Sequence, residues 1–354
     1  MQLGILGLPK VGKTTLFNTL TASRQETGKF AASAATNMGV ASVPDRRLEQ
    51  LRDLFKPRRY QPATVQYVDI PGIQRGEGKE SLDLAKLKGM DALVHVVRAF
   101  ADPEIVHAEG GVDPARDIAT LDLELILADH DLVERRLERL EKAVKRGLSD
   151  EEKRERTLLQ EVVLPRLEAE RPLREAVLEP DDERRLRGFQ LLSAKPLLVV
   201  LNVDEGRVAE HAERELQLGA AVRAVAVSAP IEEEIGRLAL EEQAEFLAAL
   251  GLEEPSLDRV ARASQELLGL ISFFTVGEDE VRAWTVRRGT RAREAAGVIH
   301  SDIERGFIRA EVVRWDELLR LRTLAACRDQ GVLRLEGKEY LVQDGDVVHF
   351  RFNV

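Results

Sequence analysis

The sequence predicts an α/β protein in which a parallel sheet covered by helices carries an inserted helical hairpin and is followed by a small α+β domain. Three observations favour this class. Apolar runs rich in β-branched residues recur along the chain, a charged block with helical spacing interrupts them, and the last quarter of the chain alternates like short strands. At 354 residues the chain is long enough for two or three compact parts.

Five apolar runs predict the strands of the main sheet. They cover residues 3–6, 65–68, 92–97, 196–201 and 222–227. Continuous rather than alternating apolar character is typical of strands buried on both faces, as in a parallel sheet between helices. In the last quarter, residues 280–286, 306–313 and 347–352 predict shorter strands, and residues 291–300 predict one helix.

The charged block predicts an antiparallel coiled-coil hairpin. Its apolar positions step alternately by three and four residues, which is the spacing of a heptad seam. These positions are Leu123, Ile126, His130, Val133, Leu137, Leu140 and Val144. The pattern breaks at residues 147–150 and resumes to about residue 171. We expect His130 to pack on this seam rather than to bind a metal, because no His or Cys lies at ligand spacing from it.

Composition and charge limit the classes of function. No apolar run approaches the roughly 18 residues of a membrane span, and the chain enters its first strand at once, so we expect a cytoplasmic protein without a membrane partner. The single cysteine, Cys327, excludes an internal disulfide and a cysteine-based zinc site. The net charge of -10 argues against a protein that coats nucleic acid, although it leaves room for local basic patches.

Residues 7–14, GLPKVGKT, form a complete P-loop between the first strand and the first predicted helix. Its glycines let consecutive backbone N–H groups face a phosphate chain at a helix N-terminus. Lys13 is expected to reach the β- and γ-phosphates, and Thr14 to offer its hydroxyl to Mg²⁺. The predicted nucleotide-binding residues here are Pro9, Lys10, Val11, Gly12, Lys13, Thr14 and Thr15.

Three further motifs follow predicted strands, at the edge where parallel α/β sheets bind ligands. Residues 69–72 match D-x-x-G, in which Asp69 would position Mg²⁺ and the Gly72 amide would sense the γ-phosphate. Residues 202–205, NVDE, stand where switch NTPases carry the base-binding N-K-x-D. Residues 228–230 stand in the place of the S-A-K loop. The predicted base-contacting residues are Asn202, Val203, Glu205, Ser228 and Ala229.

With these motifs the chain resembles the Obg-like ATPases, the YchF subfamily of translation-factor-related P-loop NTPases. The resemblance spans the whole chain, and its C-terminal part, with VRAWTVRRGT at 281–290 and residues 299–312, is similar to that family's TGS domain. It implies a P-loop NTPase G domain with an inserted coiled-coil hairpin and a C-terminal TGS domain. The expected boundaries are 1–114 and 191–270 for the G domain, 115–190 for the hairpin and 271–354 for the TGS domain.

The resemblance also implies hydrolysis of ATP in preference to GTP, with Mg²⁺ as cofactor, and association with the ribosome. The residues give a physical reason for the base preference. Guanine donates N1–H and N2–H₂ to the Asp of N-K-x-D, whereas Glu205 stands in that place and Val203 replaces the Lys that covers the base. Adenine has no N1–H to donate, so the absence of this Asp does not weaken its binding. The alternative, in which Asp204 or Glu205 still binds guanine after a loop shift, stays open.

Three departures from the family affect the γ-phosphate machinery. The glycine-rich switch after Gly72 is shortened to residues 75–79. In the first switch, Ser33 aligns with the family's Thr, with Thr36 as a second candidate for the Mg²⁺-sensing hydroxyl. One neighbouring residue agrees with the family instead: hydrophobic Ile73 follows Gly72, at the position where other NTPases carry the water-positioning Gln. Gln74, one residue further on, is expected to point elsewhere.

Lys10 is the third departure, since the family has Asn at this P-loop position. Related NTPases with that Asn resemble a group in which the side chain helps to coordinate potassium beside the phosphates. Lysine has only donors and cannot ligate a cation, but its ammonium could itself supply the charge. The alternative is that Lys10 extends into solvent. The predicted catalytic residues are therefore Lys13, Gly72 and Lys10, and the predicted metal ligands are Thr14, Ser33 and Asp69.

Two basic clusters are candidate RNA-binding surfaces. One, in the TGS-like region, comprises Arg287, Arg288, Arg291 and Arg293; the other, near the hairpin tip, comprises Lys142, Lys145, Arg146, Lys153, Arg154 and Arg156. The main functional prediction is a Mg²⁺-dependent, ribosome-associated nucleotide switch with ATP/ADP as ligand and GTP/GDP as a further possibility. A nucleotide-gated ribosome- or RNA-binding module with negligible turnover and a conventional GTPase are the alternatives.

Overall fold

The computed structural model describes residues 1–22, 38–70, 83–107, 110–216, 218–219 and 221–353. The chain divides into two compact units. Of the described residues, those within 1–21, 38–39 and 67–257 form the first unit, and residue 22 with those within 40–66 and 258–353 forms the second. No helix in the described part of the chain is long and apolar enough to cross a membrane.

A six-stranded sheet forms around the predicted apolar runs. Its strands are β1 (Gln2–Leu6), β2 (Met38–Val43), β4 (Ala63–Asp69), β5 (Ala92–Ala99), β6 (Leu197–Val203) and β7 (Val222–Val227), in the order β2-β4-β1-β5-β6-β7. The β1–β5, β5–β6 and β6–β7 pairs are parallel. All seven residues of β6 are buried, as expected for a strand covered on both faces.

Helices follow the strands in the order typical of a parallel sheet. In the first unit they are α1 (Lys13–Ala22), α3 (Leu84–Lys88), α4 (Pro114–Val144), α5 (Asp150–Leu158), α6 (Leu164–Glu168), α7 (Pro180–Leu186), α8 (Ala229–Ile235) and α9 (Leu240–Ala249). Helix α10 (Ser256–Leu267) follows at the point where the chain passes to the second unit. Because the strands are parallel, their carboxyl ends and the loops that follow them lie at one edge.

The predicted hairpin is formed by α4 and, after a turn at Gly147, by α5 and α6. A capping box between Ser149 and Glu152 starts α5, and a π-helical turn (Leu159–Val163) joins α5 to α6. Pro165 lies two residues after that turn. It lacks the N–H that an α-helix would donate to residue 161, which accounts for the local widening. Buried residues from both arms form one hydrophobic cluster.

The predicted seam holds only in its middle. Ile126, Val133, Leu137 and Leu140 are buried, whereas Leu123 and Val144 at its two ends are exposed. His130 is half-buried beside Glu134. In the first half of α4 the buried apolar positions outside the hairpin cluster are Ile118, Leu121 and Leu125, and this part of the helix packs on β5. The apolar face therefore changes direction along the helix because its two halves have different partners.

The second unit contains another six-stranded sheet. Its strands are β3 (Arg59–Gln61), β8 (Leu270–Thr275), β9 (Glu280–Arg287), β10 (Phe307–Arg314), β11 (Arg334–Glu336) and β12 (Asp346–Phe352), in the order β11-β10-β12-β8-β9-β3. Its helices are α2 (Arg46–Phe55), α11 (Ala292–Ile299), α12 (Ser301–Arg305), α13 (Trp315–Leu321) and α14 (Leu324–Asp329). Helix α2 carries Arg47, which forms an ion pair with Asp344 at 2.7 Å.

Strands β2, β3, β8 and β11 were not predicted, and the place of β3 could not be inferred from nearby residues. Strand β3 pairs in parallel with β9, so that Arg59 lies opposite Glu280, a residue more than two hundred positions later in the chain. The α/β class, the hairpin and the small α+β C-terminal domain are confirmed. The residue boundaries predicted for the four segments stay a prediction.

Candidate functional site

The P-loop joins β1 to α1 and forms the wall of an open cleft of about 380 Å³. The residues that line it are Leu8, Pro9, Lys10, Gly12, Lys13, Thr14 and Thr15. Six of them were predicted from the motif. Leu8 was not predicted, although its position between Gly7 and Gly12 could have indicated that it lines the cleft. The seventh predicted residue, Val11, is buried beneath the loop.

Two glycines are required by the path of the loop. A Cβ atom at Gly7 would lie 2.5 Å from the backbone oxygen of Val96. Gly12 has a φ of 90°, a conformation that L side chains rarely adopt, and a Cβ there would lie 2.4 Å from Nδ2 of Asn202. The loop therefore curls tightly enough for backbone N–H groups to face the cleft only because both side chains are absent.

Lys13 lies at the centre of the site, in the first turn of α1. Its Nζ donates to a carboxylate oxygen of Asp69, with which it forms an ion pair, and at 2.7 Å to the carbonyl oxygen of Ile70. Both side chains are largely buried. Asp69 ends β4, so the strand edge brings together two residues that are 56 positions apart. The carbonyl of Ile70 is a partner that sequence reasoning missed, since a backbone oxygen leaves no mark in the residue type.

The oxygen atoms near Lys13 fit a magnesium ion. Thr14 presents a hydroxyl in the exposed first turn of α1, and Asp69 presents a carboxylate at the end of the neighbouring strand. Hydroxyl and carboxylate oxygens are the hard ligands that Mg²⁺ takes beside phosphate oxygens. Ser33, Thr36 and Gly72, together with residues 73–79, lie outside the described residues. Their predicted roles stay predictions.

Lys10 has an unusual backbone conformation for its residue type. Its φ is 62°, in the left-handed region, and its side chain is exposed at the cleft. It forms no hydrogen bond or ion pair with any residue that the structure describes. Non-glycine residues in this region cost about 1–2 kcal/mol, and Asn tolerates it better than Lys. The family's Asn is therefore easier to explain here from backbone geometry than this chain's Lys.

Asn202 joins the P-loop to the loop after β7. Its Nδ2 donates to the carbonyl oxygen of Val11 at 3.0 Å, and its Oδ1 accepts the backbone N–H of Ala229 at 3.1 Å. The side chain is buried. One N–H of the amide and one lone pair of its oxygen remain for another partner. The residue predicted to contact the base therefore also fixes the position of two loops.

The other predicted base residues differ in exposure. Val203 is buried within β6 and Glu205 is exposed in the 3₁₀ turn that follows. Asp204 accepts the backbone N–H of Ala101 at 3.3 Å with both carboxylate oxygens. The Ser228 hydroxyl is buried and has no hydrogen-bond partner in the described part of the chain. Glu205 is therefore the carboxylate of this motif that is left open to a ligand.

A complete P-loop between a strand and a helix, with an aspartate at the end of β4 and an asparagine at the end of β6, defines a P-loop nucleoside triphosphate hydrolase. A family model described as a 50S ribosome-binding GTPase matches residues 2–151, and a C-terminal YchF model described as a protein of unknown function matches residues 270–353. The chain is 43% identical to a Bacillus subtilis protein named ribosome-binding ATPase YchF, over 99% of each chain. It belongs to the YchF family.

Further relatives agree with this assignment. A Haemophilus ducreyi protein of the same name is 45% identical over 99% of each chain. The solved structure of the Schizosaccharomyces pombe YchF GTPase is 30% identical and superposes with a TM-score of 0.88 over 99% of this chain and 97% of that one. The predicted resemblance and the α/β fold with its C-terminal domain are thereby confirmed. The relatives' names differ on the nucleotide, since some say ATPase and one says GTPase.

Proposed function

We propose that this protein is a Mg²⁺-dependent nucleotide switch that hydrolyses ATP in preference to GTP and associates with the ribosome. The observation that carries the proposal is the cleft at the P-loop, where Lys13 bonds to Asp69 and the amide of Asn202 bonds to Val11 of the loop. The names of the relatives, ribosome-binding ATPase YchF, support the nucleotide and the partner.

In the proposed mechanism the protein supplies positions and charge. The backbone N–H groups of the loop around Gly12 and the N-terminus of α1 bind the phosphates. Lys13 stabilises the charge of the transferred phosphoryl group. Thr14 and Asp69, with Ser33, would hold Mg²⁺, which supplies neutralisation of phosphate charge when bound. Gly72 would sense the γ-phosphate with its amide.

Single-turnover hydrolysis of ATP and of GTP by the purified chain tests the proposal. A faster reaction with ATP supports it, and a faster reaction with GTP favours the conventional GTPase. Negligible turnover with both, together with tight binding, favours the nucleotide-gated module. The shortened switch at 75–79 is the specific feature that favours this last alternative.

Base preference provides a prediction that is independent of hydrolysis. Buried Val203 cannot cover a base from the cleft side, and Glu205 is one methylene longer than the Asp that binds guanine. We therefore expect ADP to bind at least as tightly as GDP, measured by titration with fluorescent analogues. A preference for GDP beyond about tenfold, or about 1.4 kcal/mol, would contradict the proposed base specificity.

We also propose that Lys10 is catalytic and supplies a positive charge beside the phosphates. Hydrolysis by the wild type is then expected to be equally fast in sodium and potassium buffers, whereas Lys10→Asn should depend on potassium. The Asn variant should also unfold at a higher temperature, because Asn tolerates the left-handed φ of this position. Strong stimulation of the wild type by potassium would refute the role of Lys10, and the melting temperature separates that outcome from an effect on folding.

For ribosome contact we propose the two predicted basic clusters. In the C-terminal cluster, all four arginines are exposed, although Arg291 forms an ion pair with Glu339 at 3.0 Å. Near the hairpin tip, Arg146 and Lys153 have acidic partners, Glu152 and Asp150. Lys142, Lys145 and Arg154 are exposed, which leaves them open to phosphate. We also propose that the protein is cytoplasmic. The proposed domain boundaries are 1–114 and 191–270 for the G domain, 115–190 for the hairpin and 271–354 for the TGS domain.

Neutralising Arg287, Arg288 and Arg291 together should weaken co-sedimentation with ribosomes and flatten its dependence on salt. Each phosphate contact releases a counterion on binding, so losing the contact lowers the dependence of affinity on salt. The affinity for ADP should be unchanged, which serves as the control for folding. Co-sedimentation that is indifferent to the triple substitution would count against this cluster.

A further inference from the structure

Strands β10 and β12 have one face on a hydrophobic core, and their opposite face is buried at Val313 and Val347 but open to solvent towards one end. Ala310, Val312, Val348 and Phe350, on β10 and β12, belong to the core. Side chains alternate along a strand, so the residues between them face the other way. On this outward face lie Arg309, Glu311, His349 and Arg351. Except for Glu311, these residues are exposed.

Two arginines lie directly opposite each other on this face. Arg309 of β10 pairs with Arg351 of β12 in the antiparallel register. Like charges in such a pair destabilise a sheet, because the two side chains stand side by side. A local arrangement that opposes folding and has no gain in packing is the kind expected at a functional surface.

The charges on this face do not cancel. Glu311 is nearly buried, and it is shared by Arg351, at 3.2 Å, and Arg328 of α14, at 3.8 Å. Arg309 forms no hydrogen bond or ion pair with any residue in the described part of the chain. The outward face thus has three guanidinium groups for one carboxylate, in a protein whose net charge is -10.

Exposed apolar side chains lie beside these arginines. The pairing of β10 with β12 shifts by one residue between Phe307 and Arg309, which leaves Ile308 as the extra residue of a bulge. Ile308 is 59% exposed, and Leu335 of β11, opposite Glu311, is 60% exposed. Bulges re-aim side chains next to functional sites. Guanidinium planes and apolar side chains together form a surface on which unstacked bases can lie.

We propose that the outward face of β10, β11 and β12, with Arg309, Arg351 and Arg328 as its cations, binds a single-stranded segment of RNA. Arginine binds phosphate with a planar fork of donors and also stacks on bases. A sheet face suits single strands, since the bases of a duplex are stacked away from it. The inference rests on the proposed association with the ribosome and names a surface distinct from the cluster at 287–293.

Fluorescence anisotropy of the full chain with a short labelled oligouridylate tests the surface. The double variant Arg309→Ser and Arg351→Ser should bind at least tenfold more weakly, and the slope of log affinity against log salt should fall by about 1.4, since a phosphate contact on a single strand contributes about 0.7. The matched control, Arg171→Ser with Arg214→Ser, removes the same charge at exposed positions outside every proposed RNA-binding surface and should keep most of the binding. Loss of binding in the control alone would overturn the proposal.

Further variants separate binding from folding. Arg309→Ser alone breaks no ion pair with a described residue, so a reduced salt slope in this variant supports the proposal even if loss of Arg351 disturbs Glu311. Equal binding by the wild type and both sheet variants, or competition by poly-glutamate as strong as by RNA, would overturn it. Ribosome co-sedimentation is measured separately. A wild type that binds the oligonucleotide through Arg309 but does not sediment with ribosomes contradicts the proposed function and leaves the surface supported.

Discussion

Replacing Lys13 with methionine is expected to lower the single-turnover rate of ATP hydrolysis by about 10²- to 10³-fold, the usual loss when one donor to transition-state charge is removed. The ammonium of Lys13 lies at the base of the cleft and is largely buried, so water cannot replace it as it would at an exposed position. Methionine keeps the unbranched apolar stem of the side chain and removes its charge. Rapid mixing with radiolabelled ATP at saturating enzyme measures the effect.

Two controls make the Lys13 result specific. Lys142→Met, at an exposed site on α4, removes the same charge far from the cleft and should leave the rate unchanged. Binding of ADP should survive in Lys13→Met, with a smaller loss than the rate, because the backbone N–H groups still face the phosphates. A rate within tenfold of the wild type would show that Lys13 does not stabilise the transferred phosphoryl group.

Asn202→Asp is expected to destabilise the protein by about 2–3 kcal/mol and to weaken nucleotide binding. The substitution keeps the shape of the side chain and the acceptor for Ala229, but it turns the donor that Val11 needs into a second acceptor. A buried carbonyl and a buried carboxylate oxygen are then left facing each other without a proton, which costs more than loss of a neutral bond. Denaturant unfolding and ADP titration measure the two effects.

The effect of Asn202→Asp should depend on pH in a defined direction. Burial beside a carbonyl raises the pKa of the new carboxyl in the folded protein above its unfolded value, because the neutral form can donate to Val11. The unfolded state then releases its proton first, so the deficit shrinks as pH falls through the raised pKa and is full at higher pH. Asn18→Asp, the same change at an exposed position of α1, is the control. Equal stability of the two variants would mean that Asn202 does not fix the two loops.

Local patterns in the sequence determined the phosphate side of the site. Gly7, Gly12 and Lys13 belong to one continuous segment, and the shape of that segment follows from residues that are close in the chain. The apolar runs likewise predicted five of the six strands of the main sheet, since strands covered on both faces are rich in apolar residues. Strand β2 was missed because its burial alternates and it has no continuous apolar run. The turn at Gly147 and the capping box at Ser149 are further features of this local kind.

Contacts between distant segments required the tertiary structure. The amide of Asn202 bonds to Val11 across 191 positions, and a base-binding motif alone does not say that its asparagine also fixes the P-loop. Strand β3 forms backbone hydrogen bonds with β9 at the edge of the second sheet, and no pattern in residues 59–61 could indicate this partner. The opposed pair Arg309 and Arg351 also exists only through the register of β10 and β12.

The sequence by itself therefore determined the class of fold, the phosphate-binding loop and the family, because each depends on local order or on residue identity along the whole chain. The tertiary structure alone decided which carboxylate meets Lys13, which loops Asn202 joins and which basic side chains share a surface. These depend on strand register and on the order of strands in the two sheets. Register is set by the packing of many residues at once, so it cannot be assigned from a short pattern.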